Sequence, residues 1–339
     1  MRIKGFPVGK IDPDYLSSLI ERYRGVSDPS LVVGPQIGED AAVIDIGGDD
    51  YLIAKTDPIT FATDQIGRYA VTVNANDIAC MGGMPRWFLA TILLPEKRTD
   101  KGLVEDIFDQ LADACKRLGI AICGGHTEVT SGIDRPIVIG QMLGTVRKER
   151  IVRSSGARVG DHIILTKGIA IETTALLARE KEKVLAEEFD GTFIQRCKDF
   201  IERPGISVRM DAGTAVEAGE VHAMHDPTEG GLATGLHELA RASGVGMEIR
   251  RERIPVFDET LALCSFFGLD PLGCIASGAL LIVSDPASSS GIINALGAVG
   301  INCEPIGLVK EEDEGVIIVD ERGKSPLPFF EQDEITRVF

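Results

Sequence analysis

Asn74-Ala75-Asn76-Asp77-Ile78-Ala79-Cys80-Met81-Gly82-Gly83-Met84-Pro85 is the stretch on which the fold of this chain turns. Residues 66–79 place small and apolar side chains at helical spacing, and the Met-Gly-Gly-Met-Pro run that follows stops the helix. Asn and Asp compete with the backbone for hydrogen bonds and are poor helix formers. Two Asn and one Asp beside Val71, Val73 and Ile78 therefore need a reason, and a ligand-facing edge supplies one.

Three further acidic motifs have the same small-residue surroundings: Gly38-Glu39-Asp40-Ala41-Ala42-Val43, Thr56-Asp57-Pro58 and His225-Asp226-Pro227-Thr228-Glu229-Gly230-Gly231. Each has a plainer explanation. Asp40, before the apolar run 41–46, suits a solvated loop. Asp57, held extended by the proline after it, suits turn chemistry at a strand end. Asp226 as N-cap, Pro227 as first helical residue and Glu229 three positions on make a capping box. Gly230 and Gly231 are costly early in a helix, but bare N–H groups at a helix start also suit an anion. Carboxylate oxygens among small neighbours are what Mg²⁺ or Mn²⁺ require when they hold a phosphate. Everything depends on whether the four motifs converge, because clustered carboxylates repel one another unless a cation neutralises them.

Outward from these motifs, 339 residues suggest two domains, and 44% hydrophobic with 26% charged residues is an ordinary globular balance. The net charge of −17 argues against a nucleic-acid partner, which needs a basic stripe. No apolar run is long enough for a membrane span, and the N-terminus lacks a signal-peptide profile. Seven cysteines without a C-x-x-C pair indicate a reduced, cytoplasmic protein with buried thiols. Neither familiar phosphate loop is present, and no Ser-His-Asp or Cys-His arrangement supports nucleophilic catalysis.

Strands are expected at 42–46 and 51–56, joined by the Gly47-Gly48-Asp49-Asp50 turn, and at 87–94, 120–123, 136–143, 162–166, 279–284, 303–307 and 316–320. Helices are expected at 100–118, capped by Thr99 or Asp100 and stopped by Gly119, and at 171–181, 207–218 and 228–242. Gly124-Gly125-His126-Thr127-Glu128 reads as a loop, either a hairpin turn or a close approach to a ligand. The polar stretch 148–160 is the domain boundary, dividing the chain into 1–155 and 156–339, and 326–339 is a loosely ordered or docking tail. Mixed strands and helices in both halves give α/β plus α+β layers.

In order along the chain, residues 38–43, 56–57, 76–85, 124–127, Thr-Lys-Gly-Ile-Ala-Ile-Glu at 166–172 and His-Asp-Pro-Thr-Glu-Gly-Gly-Leu-Ala at 225–233 resemble the aminoimidazole-ribotide synthetase (PurM-like) superfamily. That superfamily includes the hydrogenase-maturation protein HypE, selenophosphate synthetase and thiamine-monophosphate kinase. Residues 166–178 and 225–240, with Gly268-Leu269-Asp270-Pro271-Leu272, are most similar to the HypE branch. The resemblance implies a two-domain fold, an N-terminal α/β domain that forms a β-barrel across a homodimer and a C-terminal α+β domain, with ATP near the interface. It implies that Asp40, Asp57, Asp77 and Asp226 hold Mg²⁺ or Mn²⁺ against ATP phosphates, with Asp40, Asp57 and Asp226 central to catalysis. Asn74 and Asn76 would lie beside that site. Gly124, Gly125 and Thr127 would form a second glycine-rich loop, with Gly230 and Gly231 at the nucleotide. His126 and Glu128 join the metal candidates, and Glu229 adds a carboxylate.

The departures are specific. HypE ends in a cysteine that accepts a carbamoyl group, whereas this chain ends Ile335-Thr336-Arg337-Val338-Phe339 with no cysteine after Cys303. His126 is instead similar to selenophosphate synthetase, whose N-terminal cysteine or selenocysteine has no counterpart before Cys80. The expectation is a metal-dependent enzyme that cleaves ATP or passes its phosphoryl group to a small acceptor, with Lys4 or Lys10 reaching the phosphates. A phosphatase acting on monoesters and a non-catalytic nucleotide-bound maturation or scaffold protein are the alternatives.

Overall fold

The computed structural model describes Phe6 and residues 8–339; Lys4 lies outside the described residues. After α1 (Pro13–Arg22), the first half lays out β1 (Leu31–Val33), β2 (Ala42–Ile44), β3 (Asp50–Ile59), α2 (Ile66–Cys80), β4 (Met84–Pro95), α3 (Lys101–Leu118), β5 (Ala121–Thr130) and β6 (Ile137–Arg147). The strands form one sheet in the order β1-β2-β3-β6-β4-β5. β2 and β3 are the antiparallel hairpin that the Gly-Gly-Asp-Asp turn announces. β4 and β5 run parallel because α3 carries the chain back across the sheet. α3 forms where its apolar positions fall: Ile107, Leu111, Ala114 and Cys115 are buried, Asp100 accepts from Leu103 N, and Gly119 takes the left-handed turn that ends it.

The second half contains β7 (His162–Thr166), α4 (Ile171–Glu180), α5 (Glu182–Leu185), α6 (Gly191–Lys198), α7 (Arg209–Ala218), β8 (Val221–His225), α8 (Gly231–Ser243), β9 (Gly246–Arg250), α9 (Asp258–Phe267), β10 (Leu281–Ser284), α10 (Pro286–Ala298), β11 (Cys303–Lys310), β12 (Val316–Asp320) and β13 (Gly323–Pro326). Its sheet has the order β13-β12-β9-β11-β7-β10-β8, antiparallel except where β12 meets β9.

α2 is the pivot of the molecule. It packs on β3, β6 and β4 on one side and against α7 and β8 on the other. All its residues except Arg68 are buried, which is how a helix hydrophobic nearly all round sits at the centre of a fold.

Two expectations change, the loop at 124–128 and the helix cap at Asp226. Residues 124–128 are not a loop but the middle of β5, an exposed edge strand. Gly125 is glycine because a Cβ there would lie 2.0 Å from the Ala90 carbonyl oxygen of the neighbouring strand, so sheet packing sets its identity. Asp226 caps no helix: α8 begins at Gly231 with Gly230 as its N-cap and no side-chain cap. The C-terminal residues are docked rather than loose, since Leu327, Asp333 and Ile335 are buried and Phe339 packs on Phe61. The first sheet is open at β1 and β5, so one chain alone closes no barrel among the described residues, and the barrel expected across a homodimer needs a second copy.

Candidate functional site

Strand alternation puts Lys55 and Asp57 on the same face of β3, the face that α2 covers. Helical spacing brings Asn74 and Asp77 to that face from α2. The Asn74 amide clasps the strand: its Oδ1 accepts from Asp57 N at 2.8 Å, while its Nδ2 donates to the Asp57 and Ala70 carbonyls. Asp40 comes from the turn before β2, and His225 and Asp226 from the end of β8 in the other half. The 148–160 crossover joins them, because Ser154 donates from its hydroxyl to Asp40 Oδ2 at 3.1 Å and lies against the Met224 carbonyl.

All four aspartates converge. Asp40, Asp77 and Asp226 are buried, and Asp57 is about one-third exposed. Asp40, Cys80 and Asp226 each offer a donor atom within 4.8 Å of the others. Lys55 Nζ stands 3.0 Å from Asp77 and 3.3 Å from Asp57. Asp40 Oδ1 is 2.6 Å from His225 Nδ1, His225 Nε2 is 3.3 Å from Glu238, and Glu238 accepts from Lys10 at 2.9 Å. Lys10 is thereby three links from Asp40, anchored on α8.

The electrostatics are those of crowded charge in a dry place. Burial and then the neighbouring Asp40 push the Asp226 carboxyl well above its usual range. Burial likewise raises Asp77, with Lys55 opposing and the other aspartates adding to the rise. Burial alone would lower His225, but Asp40 and Glu238 overcome it and hold the imidazole charged. Burial and the adjacent carboxylates push the Cys80 thiol up, so it stays protonated. Two oxygens, Asp77 Oδ2 and Asp226 Oδ2, are buried without any partner among the described residues. Orphaned buried carboxylate oxygens fit a cation, and a donor set led by oxygen with a protonated thiol fits a hard ion such as Mg²⁺ or Mn²⁺.

Several expected site residues lie elsewhere. Asn76 is spent holding the two halves together, donating to the Ile206 carbonyl and accepting from Val208 N, and Asn74 is spent on Asp57 as above. Neither amide is free for a ligand. The Gly230 N–H donates to Asp333 at 2.7 Å and the Gly231 N–H to the Thr228 carbonyl, so these are not bare amides. A Cβ on Gly231 would press on the Leu272 and Cys274 carbonyls. Gly124, Gly125, His126, Thr127 and Glu128 lie on β5, with β4 and β6 between them and β3; His126 and Glu128 pair with each other at 3.1 Å. Within one chain they do not join the cluster. Lys55, His225, Glu238, Ser154 and Cys80 were not singled out from sequence, although His225 and Lys55 stand one and two residues before Asp226 and Asp57.

The fold and its interdomain carboxylates define the class. The chain belongs to the AIR synthase related protein family: the family's N-terminal domain matches residues 38–146 and its C-terminal domain residues 158–320. Within that family it is similar to a putative hydrogenase expression/formation protein of Methanocaldococcus jannaschii, 29% identical with 97% of each chain covered. It is also 32% identical to a selenide, water dikinase of Aeromonas hydrophila, covering 85% of this chain and 84% of that protein. Among solved structures, hydrogenase maturation protein HypE in complex with ATP superposes with a TM-score of 0.72 at 25% identity, covering 95% and 96% of the two chains. The chain therefore stands near the HypE branch, among relatives that use ATP.

Proposed function

We propose that this protein is an ATP-using enzyme that cleaves ATP or transfers its phosphoryl group, with Mg²⁺ or Mn²⁺ held by Asp40, Asp57, Asp77 and Asp226. The observation that carries this reading is the meeting of four aspartates from both halves, with two buried oxygens left without partners among the described residues. A divalent ion held there would neutralise phosphate oxygens and align an oxygen nucleophile. The chain's own groups do the rest. His225 and Ser154 fix the two oxygens of Asp40, and Asn74 fixes the backbone of Asp57. Lys55 serves as the resident counter-charge in the absence of metal, and displacement from Asp57 and Asp77 would free its ammonium for a phosphate. Lys10 supplies a second cation at the rim of the site.

A homodimer fits the same structure. The face of the first sheet turned away from α2 carries half-buried Leu89, Leu93, Ile139 and Leu143, and β5 presents an unpaired edge with Ile122 and Val129 exposed. A second copy laid against that face and edge would cover both and complete a barrel. Seven free cysteines suit a reducing, cytoplasmic setting, and no helix among the described residues is long and apolar enough to cross a membrane.

The test is phosphate release from ATP and from p-nitrophenyl phosphate, each with Mg²⁺ or Mn²⁺. Release from ATP alone, lost in Asp226→Asn, is the expected result. Release from the monoester without nucleotide preference would replace this reading with a phosphatase. Tight ATP binding without turnover would replace it with a nucleotide-bound scaffold. Wild-type Mn²⁺ affinity in both Asp226→Asn and Asp40→Asn would end the shared-site reading altogether.

A further inference from the structure

On the side of α2 turned away from the carboxylates lies a cleft of about 820 Å³ between the two halves. Arg68, Thr72 and Ala79 of α2 line it, whereas Asn74 and Asp77 point to the opposite side of the helix. Its charge is opposite to that of the molecule. Arg68, Arg117, Arg147, Arg150, Lys167 and Arg209 line it against Glu202, Asp211 and Glu217, in a chain of net charge −17.

Two of those three acids are already matched. Glu202 takes Arg68 and Arg117, and Asp211 takes Lys167 at 3.2 Å and the Thr166 hydroxyl at 2.7 Å. Arg147 is paired with Asp49 and Asp50, so Arg150 and Arg209 remain against Glu217, still a net positive charge. Arg150 has no hydrogen-bond or ion-pair partner among the described residues, and Arg209 spends one nitrogen on the Leu118 carbonyl. α7 also opens on the cleft without a side-chain cap. The N–H groups of Met210 and Asp211 in its first turn find no acceptor among the described residues. Lys167 holds the segment leading into α7 through the Ser207 carbonyl at 2.7 Å, from a backbone in the left-handed region that a non-glycine residue adopts only at a cost.

We propose that this cleft is a binding site for a phosphate-bearing small molecule, held by the first-turn amides of α7 and by the Arg150 and Arg209 guanidinium groups. Planar guanidinium donors and helix N-terminal amides are the two protein features best matched to a phosphate. The cavity lies in the range of roughly 300–1,000 Å³ that small-ligand sites occupy. Asn76 joins α2 to the Ile206–Val208 backbone at the cleft, so an occupant touches the same helix that carries Asp77. The proposal does not depend on the metal site.

The test keeps the two sites apart by working in EDTA, where the carboxylate cluster holds no divalent ion to draw an anion. Inorganic phosphate, pyrophosphate and ribose 5-phosphate are titrated into the full chain by calorimetry at matched ionic strength. At least one probe is expected to bind saturably. Arg150→Ala and Arg209→Met should each weaken it about tenfold, the scale of one hydrogen bond to a charged group. Asp226→Asn should leave it unchanged. Arg150 is exposed and has no partner among the described residues, so its truncation leaves the fold intact, which a melting curve verifies. Absence of saturable binding by all three probes would overturn the proposal, as would wild-type affinity in both arginine variants. Loss of binding in Asp226→Asn alone would assign the anion to the acidic site instead.

Discussion

Lys55→Met removes the ammonium that, among the described residues, stands between Asp57 and Asp77. At 3.0 Å and 3.3 Å from Asp77 and Asp57, each attraction amounts to about 5 kcal/mol at an effective dielectric constant of about 20. Desolvation of the ammonium and of Asp77 takes back much of that sum, and the more exposed Asp57 is partly screened by water. Breaking one side of a buried pair costs about 3–5 kcal/mol, and the lower end fits here. The variant in EDTA should therefore melt several degrees below wild type, by roughly 3 kcal/mol. A divalent ion that no longer has to displace the lysine gains up to the same amount, so Mn²⁺ should bind as much as about 100-fold tighter. Thermal melts in EDTA and calorimetric Mn²⁺ titration read the two effects separately, and saturating Mn²⁺ should restore the lost stability. Unchanged melting together with unchanged Mn²⁺ affinity would refute the reasoning. Weaker Mn²⁺ binding would show that Lys55 supports the ion rather than standing in for it.

His225→Ala frees Asp40 from its 2.6 Å partner, and Mn²⁺ affinity should fall by about 10–100-fold, the usual effect of losing a group that orients a ligand; parity with wild type would remove His225 from the site. Glu172, buried in α4, has its carboxyl pushed up to about 7 from 4.5 by burial, and a raised value means that its contribution to stability is present below about 4.5 and lost as pH rises through 7. Glu172→Gln should accordingly match wild type near pH 4 and exceed it by up to about 3 kcal/mol above pH 7 in EDTA, whereas parallel melting curves across that range would contradict the assignment. The wild type should run as a dimer by light scattering and Ile122→Lys and Thr127→Pro on the β5 edge as monomers, and a monomeric wild type would dismiss the edge as an interface.

What could be read from the sequence was local. The 42–56 hairpin, α3 with its Asp100 cap and Gly119 stop, and β12 all follow from turn residues and side-chain periodicity within a few positions of each other. The four aspartates stood out for a related reason: small neighbours such as Gly, Ala, Asn and Pro let a ligand approach a carboxylate closely, although three of the four, read singly, also suit a loop, a turn or a cap. The misreadings were equally physical. Asp226-Pro227-Thr228-Glu229 satisfies every local rule for a helix cap, yet its backbone is claimed by the end of β8, and the helix waits for Gly231. The Gly124-Gly125 pair looks like a loop because its true constraint, the Ala90 carbonyl, belongs to another strand. Asn74 and Asn76 were read as a ligand-facing edge, but their amides go to Asp57 and to the Ile206–Val208 backbone.

By itself, then, the sequence determined the kind of fold and the residues that carry the charge, because motif chemistry and hydrophobic period are short-range properties of the chain. Only the tertiary structure decided how that charge is held. Lys55 between Asp57 and Asp77, His225 against Asp40, and the cationic cleft behind α2 all arise from packing one helix between two sheets, which joins residues as far as 185 positions apart.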